Sequence, residues 1–460
     1  MNGMRTGDMD KVYDFAFIYE IKNRELDNVL LLKCELERRG YSVALIETWE
    51  QTCHRDPAVK AKTAVCYALY DEEMLDFVNQ YLSGCRKFVN LQWEQVRTNG
   101  TDQMPAESHV SSGIYGIARR AVHICWGDSN YRKLTQKFGV PADHAFVTGS
   151  VTLDFLRKEF SGFYLSKESL YEQYGFDANK KLCLFISSFS YVDLPESIIN
   201  SPRYQQQGFD VRKHYEISKG SRDTVLDWFE AELDKHPDTI IVYRPHPAEA
   251  SASRLQRMCE KYSNFKVIQD HSIKQWIVVA DRIYTWWSTS ITEVYAAGKG
   301  CAILRPMAMP YENELSIYNG ARTVEGFEAF DAGFEAEQDF PIPEENIRDH
   351  YLMDDEPAFI RVCDVLESIL NRDEYAIDGV TDQNYTRIGT WVYNLKCGFK
   401  GMLVKNRTFY AVLHRLFGRR IQDMRNEYRY SLEMRRKNAG TPAETEARQK
   451  LIRQILEDCF

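Results

Sequence analysis

The sequence predicts an α/β protein of two Rossmann-like halves joined by a linker and followed by a mostly helical C-terminal extension. Three observations lead there. Apolar runs of strand length alternate with helix-length amphipathic stretches, which is the pattern of βαβ units and parallel sheets. The series starts afresh at Leu182-Cys183-Leu184-Phe185-Ile186, after a more charged stretch. From about residue 357 strand-like runs cease and helical periodicity takes over.

In the first half an apolar run at 13–19 precedes a helix pattern at 26–39, stopped by Gly40, and a second strand at 42–46. Further strands are predicted at 64–67, 87–91, 121–125 and 145–148, with helical stretches between them, and Gly149-Ser150 closes the half. Residues 156–174 read as a charged helical connector. The second half continues with a helix at 222–233, a strand at 239–243, a helix at 250–262 and strands at 265–268 and 282–287. A helix at 292–297 and a strand at 301–304 complete it, with Gly298 and Gly300 at the junction. The expected domains are residues 1–155, residues 156–340 and an extension over 341–460, part of which is expected to pack back on the first domain.

The chain has 460 residues, 44% of them hydrophobic, enough for two or three domains with real cores. A net charge of -9 argues against a general nucleic-acid binder, so an anionic ligand must meet a local site. The 11 cysteines contain no Cys-x-x-Cys pair and no metal-spaced His/Cys cluster, which fits a reducing compartment. Residues 1–10 lack the apolar core of a signal peptide, and no apolar run reaches the roughly 20 residues of a spanning helix. The expectation is a cytoplasmic protein, at most peripheral on the inner face of a membrane.

Two short segments carry the chemistry. Arg244-Pro245-His246-Pro247 follows the strand at 239–243, and Ser288-Thr289-Ser290-Ile291-Thr292-Glu293 follows the strand at 282–287. Both therefore belong at the carboxyl edge of one sheet, where open α/β sheets bind ligands. Flanking prolines fix the backbone that presents His246. With Arg244 beside it, the segment offers donors for phosphate oxygens. The hydroxyls of Ser288, Thr289 and Ser290 open a helix, whose free N–H groups also attract phosphate. Ser290 and Glu293 match a capping box, so Glu293 is read either as a cap or as a ligand of sugar hydroxyls. Ser187 and Ser188, after the strand at 182–186, form a second candidate phosphate or acceptor loop.

With Arg244-Pro245-His246-Pro247 at this spacing, the run from Ala280-Asp281-Arg282 through Ser288-Thr289-Ser290 and Glu293-Val294-Tyr295-Ala296-Ala297-Gly298-Lys299-Gly300 resembles the carboxyl-terminal half of GT-B glycosyltransferases. More narrowly it is similar to the bacterial surface-polysaccharide group that includes capsule Kdo transferases, polysialyltransferases and CDP-glycerol glycerophosphotransferases. Tyr19-Glu20-Ile21-Lys22-Asn23-Arg24-Glu25-Leu26-Asp27 resembles the opening strand and loop of surface-carbohydrate biosynthesis proteins. Val147-Thr148-Gly149-Ser150 with Asp154 resembles their interdomain segment, although Ser150 and Val151 stand where that group usually has Asn-Pro. The resemblance implies a GT-B fold, an acceptor-binding first domain and a nucleotide-sugar donor in the second. It further implies that His246 and Ser288 to Ser290 contact donor phosphate and ribose; Arg244 and Pro247, in the same segment, are read with them as donor-binding residues. A CMP-sugar is favoured by the Kdo and sialic acid relatives, with CDP and UDP open. No cofactor or metal is expected, since GT-B enzymes generally stabilise the leaving phosphate by protein donors.

Inverting transfer needs a base for the acceptor hydroxyl, and a carboxylate at a strand end facing the cleft suits that role. Glu94, in Asn90-Leu91-Gln92-Trp93-Glu94-Gln95, is the first choice; Glu20 and Glu25, after the first strand, are rivals. The expected partners are a nucleotide-sugar donor and a surface-glycan or lipid-linked acceptor. Two other readings share the architecture: a non-hydrolysing nucleotide-sugar epimerase, and a non-catalytic assembly partner that binds nucleotide or glycan. Between Lys396 and Lys437 there are 12 Lys/Arg against 3 acidic residues, interleaved with Phe399, Met402, Leu403, Leu416 and Phe417. That stretch reads either as a helix pair packed on the core or as a surface for anionic membrane.

Overall fold

The computed structural model describes residues 11–109, 113–202, 208–247, 249, 253–380 and 387–460. The first sheet is built from β1 (Val12–Tyr19), β2 (Val43–Glu47), β3 (Val59–Cys66), β4 (Leu82–Ser83), β5 (Lys87–Asn90), β6 (Val122–Cys125) and β7 (Ala145–Val147). Its order is β2-β1-β3-β5-β6-β7, with β4 pairing β3. The second sheet comprises β8 (Lys181–Ile186), β9 (Thr239–Arg244), β10 (Phe265–Val267), β11 (Arg282–Thr285), β12 (Ala302–Leu304) and β13 (Thr323–Val324), in the order β10-β9-β8-β11-β12-β13. Every named pairing is parallel. Parallel strands covered on both faces need continuous apolar runs, and Phe15 to Tyr19 and Leu182 to Ile186 supply them, all buried.

Each sheet reverses its strand order once, between β1 and β3 in the first and between β8 and β11 in the second. Loops diverge at such a point and leave a crevice at the carboxyl ends of the strands. This topology sets the site, because the segments after β1, β5, β8, β9 and β11 all issue at these edges. Side-chain alternation splits the second sheet between two cores. Leu182, Leu184 and Ile186 face the core continuous with the first lobe, whereas Cys183 and Phe185 face a second, aromatic-rich core.

The sequence pattern and the structure differ at several elements. The strand predicted at 64–67 begins at Val59, because Lys60 and Lys62 alternate with inward residues and mask its apolar character. The helix predicted at 222–233 spans Val211–Lys235, started by Asp210, whose carboxylate accepts the Lys213 N–H at 2.9 Å. Its first half is polar and contains Gly220, which hides the helical period. The connector is broken into a short 3-10 turn, Lys158–Phe163, and a helix, Lys167–Tyr174, ended by Gly175 at φ +62. The helix predicted at 250–262 is Ser253–Lys261, with residues 250–252 outside the described ones.

The chain returns to the first lobe after the second sheet. The Ala358–Leu370 helix packs on the Asp27–Arg38 helix, and Arg39 bonds Asp364 and Glu367 at 2.6 Å each. The Asp154 carboxylate accepts the N–H groups of Ala358 and Phe359 at 3.0 and 2.7 Å, capping that helix from the interlobe segment. The final helix, Pro442–Cys459, lies on the other side of Asp27–Arg38, with Arg448 bonded to Asp27 at 2.5 Å. A second join links the lobes: Asn99 N–H donates to Glu314 O at 2.9 Å and Ser316 N–H to Arg97 O at 2.8 Å. Gly100 lies so close to Gly208 that an added Cβ would stand 2.1 Å from its carbonyl oxygen.

Asp154→Ala leaves two buried N–H groups without acceptors and is expected to cost about 1–3 kcal/mol. Urea denaturation measures this, and Asp154→Asn, which keeps one acceptor oxygen, is expected to lose less.

Candidate active site

The turn after β9 is closed on a buried carboxylate. Glu249 accepts the Ser187 hydroxyl at 2.5 Å, the Tyr243 hydroxyl at 2.6 Å and the backbone N–H of His246 at 3.2 Å. Its own N–H returns to the His246 carbonyl at 2.8 Å. Burial pushes the Glu249 carboxyl above the usual range, against the hydrogen bonds that favour its charged form. Ser187 thus belongs to the scaffold beneath the turn, and its hydroxyl also lies 2.9 Å from that of Tyr243. The Ser188 hydroxyl accepts the Trp287 N–H at 3.0 Å and ties the end of β8 to the end of β11.

Arg244 turns to the neighbouring loop, donating to the carbonyls of Asp270 at 2.8 Å, Ile268 at 3.4 Å and His271. Burial lowers its pKa to about 10. His246 and Pro247 remain exposed at the crevice. The imidazole keeps accessible surface because the crevice is open, yet protein atoms from both lobes displace much of the water around it. That desolvation lowers its pKa, while Glu94 acts to raise it and Lys437 to lower it.

The hydroxyl cluster has a different internal bonding from a capping box. Ser288 Oγ, and not Ser290, accepts the Ser290 N–H at 3.2 Å, and the Ser290 side chain makes no cap bond to the Ile291–Ala296 helix. Tyr318 fixes Ser288, accepting its N–H at 3.1 Å and donating to its carbonyl at 2.8 Å. Thr289 is exposed and Ser290 half-buried. Glu293 feels the ammonium of buried Lys274, which opposes the rise in its pKa caused by burial. Lys274 in turn feels Asp27 of the first lobe. Glu293 therefore stands at the boundary between lobes.

Across the crevice, the loop after β5 presents Glu94. Asn90 shapes it, with its side-chain oxygen accepting the Gln92 N–H at 3.1 Å and its amide donating to Leu69 O at 3.0 Å, and Gln92 takes φ 43. Gln95 anchors the far side through Ile124 O and the Trp126 N–H, both at 2.8 Å. Between these anchors the Glu94 side chain is 62% exposed and pairs with Arg24 at 2.6 Å. Glu25 is fully buried and holds the loop after β1, accepting the N–H groups of Glu20 and Ile21 at 2.7 and 3.1 Å and two bonds from Arg24. Burial raises the Glu20 carboxyl, and Glu25 and Glu94 add to that. Glu20, Glu94 and His246 thus share one crevice, whereas Arg244, Ser187 and Ser188 are committed to its scaffold.

Sequence reasoning missed Glu249, Arg24, Lys274 and Lys437. Only Glu249 left a signal, a carboxylate three residues after His246. Lys437, from the C-terminal extension, reaches Pro247 O at 3.4 Å. Two acidic clusters away from the crevice are engaged elsewhere: Asp71 caps the Glu72–Asn79 helix through Met74 N–H, and Asp354 pairs with Arg361.

Comparison of the structure with solved ones places the fold. A variant of the wall teichoic acid polymerase TagF superposes with a TM-score of 0.51 at 10% identity, over 80% of this chain and 92% of that one. The fold is GT-B. S. aureus MnaA, solved with UDP, gives a TM-score of 0.47 at 12% identity, over 78% of this chain and 97% of that one. UDP-GlcNAc 2-epimerase from Neisseria meningitidis, bound to UDP-GlcNAc, gives 0.47 at 11% identity, over 77% and 99%. No family model and no curated protein sequence matches the chain. In the crevice between the lobes Glu94 lies near enough to His246 for its charge to act on the imidazole.

Glu249→Ala strands two hydroxyls and a backbone N–H, and is expected to lower stability by about 2–4 kcal/mol in urea unfolding, with Glu249→Gln intermediate. A pH dependence follows from His123, which lies beneath the Glu94 loop. Its Nε2–H donates to Ala118 O at 2.9 Å and Nδ1 accepts from the Asn90 amide at 3.2 Å, so the ring must be neutral. Burial lowers its pKa from 6.5 to about 4. As pH falls through that window the unfolded chain gains a proton that the fold refuses, so stability is lost on acidification. The stability advantage of the wild type over His123→Asn is expected to shrink by about 3 kcal/mol between about pH 7 and about pH 4.

Proposed function

We propose that the protein is a glycosyltransferase that moves a sugar from a nucleotide-activated donor to a surface-glycan or lipid-linked glycan acceptor. The observation that carries this reading is the facing of Glu94, on its pinned loop, with His246, on the turn closed by Glu249. The donor lies on the second lobe, its phosphate against His246, the exposed hydroxyl of Thr289 and the half-buried one of Ser290, and its ribose towards Glu293. The acceptor enters over the first lobe.

Glu94 takes the proton of the acceptor hydroxyl as that oxygen attacks the anomeric carbon of the donor. The bond from that carbon to the phosphate oxygen breaks, and the electron pair leaves with the nucleotide. Protein donors receive the new charge: the imidazole N–H of His246 and the nearby hydroxyls. Arg24 holds the Glu94 carboxylate in place before the acceptor arrives. Glu20 is the alternative base, a carboxyl on the same crevice whose pKa burial raises. A CMP-sugar is the favoured donor, and the proposed reaction uses no metal.

The nearness of the Glu20 and Glu94 carboxylates, with the charge of Glu94 felt at Glu20, supports one second reading. An epimerase must remove a proton and return one at the same sugar, which two neighbouring carboxylates suit. It would release an isomerised nucleotide sugar with no acceptor present, whereas a transferase needs one.

A thermal-shift panel of CMP, CDP, UDP and GDP is expected to show selective stabilisation by one nucleotide, lost in His246→Ala. With that donor, Glu94→Gln is expected to lower turnover by at least about 100-fold with little change in donor KM. A near-wild-type rate would remove Glu94 as the base and transfer the role to Glu20.

A further inference from the structure

The helices Arg387–Lys405 and Arg407–Phe417 carry a feature that donor chemistry does not use. One face of the first is seated on the lobe: Asn394 exchanges bonds with the backbone of Arg55 at 2.9 Å, the Tyr393 hydroxyl donates to Thr52 O at 3.0 Å, and Cys397 and Leu403 are buried. The opposite face is apolar and open to solvent. Ile388, Trp391, Leu395 and Met402 recur at helical spacing along it, and on the second helix, which packs against the first, Leu416 and Phe417 are exposed as well. Trp391 is 63% exposed, Leu416 68% and Phe417 61%. Elsewhere among the described residues exposed large apolar side chains are scattered singly, so this concentration is a surface feature and not ordinary leakage of the core.

Charge identifies the occupant. From Arg387 to Arg420 the sequence contains eight Lys/Arg and no Asp or Glu, in a chain whose net charge is -9. Arg419 stands out with 92% of its side chain exposed. A bilayer with anionic headgroups supplies an apolar phase and negative charge at once, the two properties that this face matches. Among the described residues no helix is long and apolar enough to cross a membrane, so the contact lies in the interface plane.

We infer that these two helices form a docking surface for an anionic lipid bilayer, with the apolar stripe entering the headgroup boundary and the basic side chains binding its phosphates. The next helix, Arg419–Asn438, then leads from that surface to the crevice, where Lys437 meets Pro247. Its 20 residues span about 30 Å. A docked molecule thereby holds its crevice at a fixed reach from the lipid surface. This docking is independent of which donor the site accepts.

Vesicle flotation of the full chain tests it, with phosphatidylcholine alone and with about 30 mol % phosphatidylglycerol. The wild type is expected to float at least about tenfold more with the anionic vesicles, and to be released by about 0.5 M salt. Trp391→Glu with Leu416→Glu, at exposed positions, is expected to abolish flotation. Arg419→Glu with Arg420→Glu is expected to reduce it at least about fivefold and serves alone should the first pair lower the melting temperature. Equal recovery in solution from both vesicles, or variants that float like the wild type, would overturn the inference. So would a wild-type dimer that ignores vesicles and is dissociated by the Trp391 and Leu416 substitutions, since a second copy would then cover the stripe.

Discussion

The buried carboxylate of Glu249 is the constraint on which the second half of the crevice depends. One side chain gathers the ends of two strands and the backbone of the turn after the second: Ser187 just beyond β8, Tyr243 in β9 and the His246 N–H. A carboxylate without bulk water is costly unless its lone pairs are filled, and here the filling groups are those whose position matters. The prolines on either side of His246 narrow the backbone choices, and Glu249 selects among them.

The first lobe solves the same problem with a different residue. Glu25 is buried, accepts two backbone N–H groups and grips Arg24, which reaches Glu94. Each side of the crevice therefore has one buried acidic residue that shapes a loop and one accessible residue, Glu94 or His246, left at the opening. Division of labour of this kind lets the exposed group change partners during a reaction while the loop keeps its shape.

Much of the architecture was legible because parallel strands covered on both faces cannot hide: Phe15 to Tyr19 and Leu182 to Ile186 read as strands whatever follows them. β3 was legible only in its second half, since Lys60 and Lys62 interrupt the apolar run, and the Val211–Lys235 helix only where its buried residues become frequent. The placement of His246 and the Ser288 cluster at strand ends was legible for the same local reason. What each side chain bonds was not. Arg244 reads as a phosphate ligand in the sequence, but three carbonyls of a loop some 25 residues on occupy it. Glu249 reads as one surface acid among many, and its burial depends on contacts 62 residues apart. Lys437 is separated from Pro247 by 190 residues, a meeting that local pattern cannot encode.

The join at Thr98 and Leu315 has a mechanical meaning. Backbone bonds there, Asn99 to Glu314 and Ser316 to Arg97, run directly between the lobes, and Gly100 leaves no space beside Gly208 for even a methyl group. Sliding the lobes past one another would break those bonds, whereas rotation about the join preserves them. The crevice is accordingly closed on this side by a backbone seam, and Gly100 is what lets the two main chains approach so closely.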